Sequence, residues 1–171
     1  MYTRAYSAFT DEGKFCGVIT VGVVARHFCS GLGLCQGEAV DINRIALNGE
    51  QPNISQIMAV VLKRIRDDLP CAKIVISYAD TGAGHCGIVY QACNFIYLGR
   101  RKGCAEYMSP DGVRINQRTL TSMPKGMRTH YTAIPGTDKF LYAYPLVKRW
   151  RRILLERATG LHPPKSVTDD T

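Results

Sequence analysis

KIVISYADTGAGHCGIVYQACNFIYL, residues 73–98, decides the architecture of this chain. Its opening KIVISY is a short apolar run rich in β-branched residues, which reads as a buried strand. ADTGAG (79–84) is loop chemistry, with two glycines and an Asp suited to an Asx turn. His85–Asn94 places Ile88, Val89, Ala92 and Cys93 inward as a helix, and Phe95–Leu98 returns to strand. The same order occurs upstream. AVDINRIAL (39–47) is a strand whose alternation breaks at Asn43 and Arg44, as at a β-bulge. NGEQPNIS (48–55) is a turn with Asn53 or Ser55 as helix N-cap. From Ser55, the apolar residues Ile57, Met58, Val61, Leu62 and Ile65 recur at helical period, ending near Asp67–Asp68 before Pro70. Two strand–loop–helix units and a closing strand predict an α/β fold, with helices crossing a mixed sheet.

Outward from this centre the signals weaken. FCGVITVGVV (15–24) reads as a strand and SGLGLCQG (30–37) as a loop. MSPDGVRI (108–115) carries Asp111-Gly112 between two short strand candidates, a good hairpin turn. Residues 119–137 read as loop, KFLYAY (139–144) as a last strand, and Leu146–Arg157 as a basic helix before a proline-containing tail.

At 171 residues, 46% hydrophobic and 21% charged, the chain is long and apolar enough for one globular domain spanning 1–171. No run approaches the roughly 18 apolar residues of a membrane span, and MYTRAYSAFTDEGK has no apolar signal core, so no membrane partner and no secretion are expected. Seven cysteines, an odd number without any CxxC, fit reduced thiols in a cytoplasmic setting. Cys71 and Cys93 read as small buried apolar residues. His27, Cys29 and Cys35 come nearest to a metal set, but their spacing matches no standard zinc pattern, so any metal site stays unassigned.

The charge is unevenly placed. Residues 1–99 carry 8 basic and 8 acidic side chains, whereas residues 100–171 carry 14 and 6, so the whole net +8 lies in the second part. A neutral unit followed by a basic one, richer in Arg than Lys, suggests a polyanion surface over about 100–165. The plainer reading is a solvated surface.

Two resemblances follow from these residues. The paired strand–loop–helix units resemble the core of the GNAT-type acyltransferase fold. That resemblance implies that Ile45, Ala46 and Leu47, with Asn53 and Ser55 at the next helix start, bind an acyl carrier's phosphate-bearing arm. NGEQPNIS replaces the family's Gly-rich phosphate loop, so the donor is left as acyl-coenzyme A or another activated acyl or glycine-like group. A longer pattern, ISYADTGAGHCGIVYQACNFIYLG (76–99) with INRIALNGEQPN, MSPDGVRINQRTL and KFLYAYPLVKRWRR, is similar to the Mom proteins of Mu-like phages. It implies conversion of adenine in phage DNA to an N6-carbamoylmethyl (acetamido) derivative in the host bacterial cytoplasm, protecting it from restriction. The alternatives are a GNAT acetyltransferase acting on a small amine or protein, and a non-catalytic DNA-binding protein. Double-stranded DNA and a small-molecule donor or carrier are the implied partners. A direct acetyl transfer would leave N6-acetyladenine rather than the acetamido product, so a metal-assisted rearrangement also stays open; the oligomeric state is not legible.

Adenine N6 is a weak nucleophile, so its modification needs an acceptor near the amine and a proton donor for the leaving group. Asp80, at the end of strand 73–78, sits where open α/β sheets keep reactive groups, or simply caps the ADTG turn. Tyr90 matches the helix tyrosine that in many GNAT enzymes protonates the departing thiolate; otherwise it is an interfacial aromatic. Tyr78 and Ser77 are further catalytic candidates; Tyr78 shares Asp80's strand face and Ser77 does not, unless the strand has already ended. His85 is a proton shuttle or a plain helix-start residue. Tyr97 and Tyr107 are candidates for stacking on a flipped base. Arg100, Arg101, Lys102, Arg114, Arg118, Lys148, Arg151 and Arg152 are the DNA-contact candidates, the last three on one face of a helix whose Trp150, Ile153 and Leu154 pack inward.

Overall fold

The computed structural model describes residues 4–51 and 53–167, the side chain of His27 excepted. Nine strands and six α-helices are formed among the described residues: β1 (Arg4–Phe9), β2 (Phe15–Val23), α1 (Arg26–Gly31), β3 (Ala39–Leu47), α2 (Ile54–Asp68), β4 (Ile74–Asp80), α3 (Ile88–Ala92), β5 (Ile96–Arg101), β6 (Glu106–Met108), β7 (Arg114–Asn116), α4 (Gln117–Ser122), α5 (Lys125–Arg128), β8 (Thr132–Ile134), β9 (Lys139–Pro145) and α6 (Lys148–Arg157). The main sheet has the order β1-β2-β3-β4-β9-β5, and a small second sheet has the order β7-β6-β8. Only β3 and β4 pair in parallel in the main sheet; its other pairs are antiparallel, which gives the mixed α/β sheet expected from the sequence.

The bulge falls where the broken alternation placed it. Thr20 pairs with Arg44 and Val21 with Ile42, leaving Asn43 as the extra residue. The insertion reverses the facing of the rest of the strand, so Val40 and Ile42 face one core and Ile45 rejoins it beyond the bulge. Apolar layers cover both faces. Ile19, Val21, Ile42, Val75, Phe140 and Tyr142 pack with α2 and α3, and α2 buries Met58, Val61, Leu62 and Ile65 against them. Each such burial contributes about 1.5–3 kcal/mol. On the other face, Ile74, Ile76 and Leu141 pack with Cys29 of α1 and with Trp150 and Leu154 of α6.

Several expectations change in detail. Arg4–Phe9, unread in the sequence, is an edge strand whose more buried side is Arg4, Tyr6 and Ala8, with no β-branched residue to mark it. α1 runs through Ser30 and Gly31, where a loop was expected. The helix expected over 85–94 contracts to Ile88–Ala92, because Gly84 and Gly87 both adopt positive φ and keep the chain irregular before it. Residues 119–137 contain the end of α4, all of α5 and β8 instead of continuous loop. β9, late in the chain, inserts between β4 and β5, so the strand that follows α3 is not β4's neighbour. Cys71 is exposed while Cys93 is buried, and all seven cysteines are free thiols.

Candidate active site at the parting of two strands

The parallel ladder joins Ala39–Ile42 to Ile74–Ser77 and stops there. Beyond it β3 runs on beside β2 to Leu47, and β4 beside β9 to Asp80. The sheet therefore opens at Ile42 and Ser77, and side chains from both faces gather round the opening.

On the α2–α3 face, Ser77 is fully buried, and its Oγ lies 2.7 Å from the Ile42 carbonyl oxygen and 2.7 Å from the Tyr90 hydroxyl. A serine carries one hydroxyl proton and the carbonyl can only accept, so Ser77 donates to Ile42 and Tyr90 donates to Ser77. Burial pushes the Tyr90 phenol up, against the Ser77 hydrogen bond, and the charge of Asp41 pushes it further. Tyr90 thus stays protonated at neutral pH. Its ring is fixed against Phe95 and Tyr142, with centroids 5.5 and 5.4 Å away. Of the candidates read from the sequence, the structure brings Tyr90 and Ser77 together.

The α1–α6 face holds Asp41 and Tyr78. Burial pushes the Asp41 carboxyl up to about 6, with Lys139 pulling the other way, and its buried Oδ1 has no hydrogen-bond partner. Asp41 lines a cleft of about 470 Å³ with Phe28, Tyr78 and Arg118. Phe28, Tyr78 and Arg118 also line a larger cleft of about 910 Å³, which Arg101, Lys102, Lys139 and Arg157 make basic. Sequence reasoning missed Asp41, although a carboxylate between Val40 and Ile42 in an apolar strand was the available signal.

Asp80 is occupied with its own loop. Its Oδ1 accepts from Gly82 N–H at 2.9 Å and from Thr137 Oγ1–H at 2.7 Å, and Lys139 Nζ stands 3.6 Å from Oδ2. Burial raises its pKa, but the Thr137 and Gly82 hydrogen bonds and Lys139 outweigh that and leave it lowered. His85 is exposed, its backbone N–H bonded to the Asp80 carbonyl. Ile45, Ala46 and Leu47 lie on β3 past the opening. Asn53 and Ser55, however, bond each other: Asn53 Oδ1 accepts from Ser55 N–H at 3.0 Å and from Ser55 Oγ–H at 2.8 Å. The amides of Gly49 and Glu50 are likewise taken by Gln51 and Asn48 side chains. Asn53 is thus the helix N-cap, one of the two residues the sequence offered for that place, and Ser55 occupies its side-chain oxygen.

Among the DNA-contact candidates, Arg101, Lys102 and Arg118 line the larger cleft. Arg100 is held by Asp138 at 2.9 Å and Arg114 by Glu106 at 3.3 Å. Lys148, Arg151 and Arg152 are exposed on α6, Arg152 facing Glu156 at 3.4 Å, while Trp150 and Leu154 are buried as the helical period required. Tyr97 is corrected: it is 3% exposed, packed between Phe140 and Tyr142, and has no face for a base. Tyr107 donates to Gln117 on the small sheet. Asp111 sits in the turn closed by Gly112 N–H on the Ser109 carbonyl, which joins β6 to β7 as expected. Among the described residues, no group of three or more His, Cys, Asp or Glu is placed to hold a metal ion, and no helix is long and apolar enough to cross a membrane.

The fold is similar to that of solved N-acetyltransferases. RimL, a ribosomal L7/L12 alpha-N-protein acetyltransferase, superposes with a TM-score of 0.51 at 13% identity, over 85% of this chain and 70% of that one. Arabidopsis thaliana NAA60, solved with a bisubstrate analogue, gives 0.51 at 14% identity, over 84% and 76%. Residues 5–163 match the Mom protein family, and the chain belongs to it. Methylcarbamoylase Mom of Escherichia phage Mu is 32% identical over 89 residues, which are 51% of this chain and only 36% of the phage Mu protein.

Proposed function

We propose that the protein is a DNA-modifying transferase that converts adenine to its N6-carbamoylmethyl derivative in phage DNA and so shields that DNA from restriction. The observation that carries this reading is the opening at Ile42 and Ser77, with a protonated tyrosine on one face and a basic cleft on the other. Membership of the Mom family and the name methylcarbamoylase for the phage Mu relative supply the kind of group transferred.

An acyl-coenzyme A-type donor fits the α2–α3 face in its acyl arm. The edge of β3 at Ile45, Ala46 and Leu47 can bond an amide-bearing arm as an added strand would. Tyr90, held by Ser77, would give its proton to the group that leaves the donor, and its raised pKa keeps that proton available at neutral pH; a plain acyl thioester would leave N6-acyladenine, so the carbamoylmethyl product requires a donor whose CH₂ carbon, not its carbonyl, becomes bonded to N6. When bound, such a donor supplies the activated group. The donor's phosphates find fewer free amides than expected at residues 48–55, since Asn53, Ser55, Asn48 and Gln51 already satisfy the local backbone. DNA lies on the α1–α6 face, its phosphates met by Arg101, Lys102, Arg118 and the exposed α6 residues Lys148, Arg151 and Arg152. Asp80 is a positioning residue that fixes Thr137 and Lys139 at the cleft wall.

Plasmid DNA from bacteria expressing the protein tests this. It should resist restriction enzymes whose sites contain adenine, and DNA from cells expressing Tyr90→Phe should be cut. Complete cutting of the wild-type sample contradicts the proposal, and acetylation of a small amine in the same cells would replace it.

A further inference from the structure

The smaller cleft has a use that neither the fold nor the family assigns to particular residues. We propose that it is a nucleobase pocket, in which a base turned out of the DNA stacks on Tyr78 and donates its exocyclic amine to Asp41. The inference rests on the reading of the protein as a DNA-modifying transferase, and names the groups that choose its target.

Asp41 carries the argument. An ionised carboxylate can only accept, and a buried acceptor without a donor costs stability unless a ligand fills the gap. Its Oδ1 is such an atom, and its carboxyl lines a cleft of about 470 Å³. Tyr78 stands beside it, 36% exposed, with Phe28 across the same cleft. Exposed aromatic faces of this kind stack on bases of any sequence, so Tyr78 gives affinity and Asp41 gives choice.

The choice follows from hydrogen-bond polarity. Adenine N6–H₂ and cytosine N4–H₂ are donors at the position where thymine O4 and guanine O6 are acceptors that a carboxylate repels, while guanine carries its own amine at C2, so the pocket tells the bases apart by where on the ring the amine sits. The position fits the chemistry as well. Asp41 is the neighbour of Ile42, where the strands part, and is close enough for its charge to bear on Tyr90. An amine held by Asp41 therefore sits at the opening that Ser77 and Tyr90 guard from the other side. Arg118 lines both clefts, and Arg101 and Lys102 line the larger one, where the flanking phosphates of an everted nucleotide would lie.

Charge state is part of the device. The groups that face Asp41 are Lys139 from β9, Tyr78 from β4, Tyr90 from α3 and Arg118 from α4. Of these Lys139 favours the carboxylate, and burial opposes it, so Asp41 gains its charge near pH 6.

The test uses single-stranded oligonucleotides of mixed sequence, with either adenine or purine (which lacks the amino group) at every adenine position, titrated by fluorescence anisotropy. Wild-type protein should bind the adenine oligonucleotide about tenfold or more tightly at pH 8, and about two- to threefold at pH 5, where the protonated carboxyl, like an amide, still offers a carbonyl but no charge. Asp41→Ala should bind both alike, and Asp41→Asn, which still offers a carbonyl, should keep a preference that no longer varies with pH. Tyr78→Ala should weaken both oligonucleotides together. A folded Asp41→Ala protein that retains the preference overturns the pocket. Restriction resistance in cells separates the two levels. If wild type protects DNA and Asp41→Ala protects it equally, the pocket is wrong and the transferase reading stands; if wild type protects nothing, both fall.

Discussion

A carboxyl group flanked by Val40 and Ile42 costs the folded chain free energy, and Asp41 makes that cost measurable. Its pKa is raised to about 6 in the folded protein, against about 3.9 for an unperturbed Asp. The native state then holds the proton more tightly, so stability falls as pH rises from about 4 to about 6 and stays low above. Asp41→Asn removes that loss and should stabilise the protein by about 2 kcal/mol at pH 8 but hardly at pH 4. Urea unfolding at the two pH values measures it; an equal effect at both would contradict the burial of an ionised Asp41. Tyr90→Phe should lower turnover by roughly 10²–10⁴-fold if Tyr90 is the proton donor. Asp80→Asn keeps an acceptor for Gly82 and Thr137, so modification should stay within tenfold of wild type, while Asp80→Ala should lower stability by about 1 kcal/mol. A larger loss of modification in a folded Asp80→Asn protein would make Asp80 a reacting group. Tyr90 entered the reading of the sequence through a long motif; Asp41 did not, because its place beside the opening depends on where β3 leaves β4.

At the scale of elements, local patterns were readable and pairings were not. The helical period of α2, the bulge at Asn43 and the inward Trp150 and Leu154 of α6 all follow from neighbours within a few residues. The insertion of β9 between β4 and β5 pairs Lys139 with both Asp80 and Arg101, about 60 and 40 residues away, which no local period encodes. The approach to α3 shows how closely the site is built. Gly87 has φ +83°, and a Cβ there would stand 2.3 Å from the Tyr142 ring. That ring is anchored by its hydroxyl donating to the Cys86 carbonyl at 2.6 Å and receiving a hydrogen bond from Gln91 Nε2 at 3.0 Å. Gly87→Ala must move Tyr142 and with it Tyr90, so it should cost about 2–3 kcal/mol and reduce modification more than its unfolded fraction explains. Thermal melting alongside restriction resistance separates the two effects.

Over the whole molecule, the neutral first part and the basic second part meet at the larger cleft. The cleft's Arg101, Lys102, Arg118, Lys139 and Arg157 all come from the basic part, although Phe28 and Tyr78 beside them do not. If the α6 face meets phosphates, changing Lys148, Arg151 and Arg152 to Gln should reduce the slope of log K against log salt by about 0.9 per lost duplex contact, for all sequences alike. An unchanged slope would confine the DNA to the cleft. The central claim, that this chain delivers a carbamoylmethyl group to adenine in DNA, is tested most directly by mass analysis of nucleosides from plasmid DNA of expressing cells. A heavier deoxyadenosine carrying that group, absent when Tyr90→Phe is expressed, is the predicted result; deoxyadenosine without any modified form, recovered from cells that contain the folded wild-type protein, would contradict it.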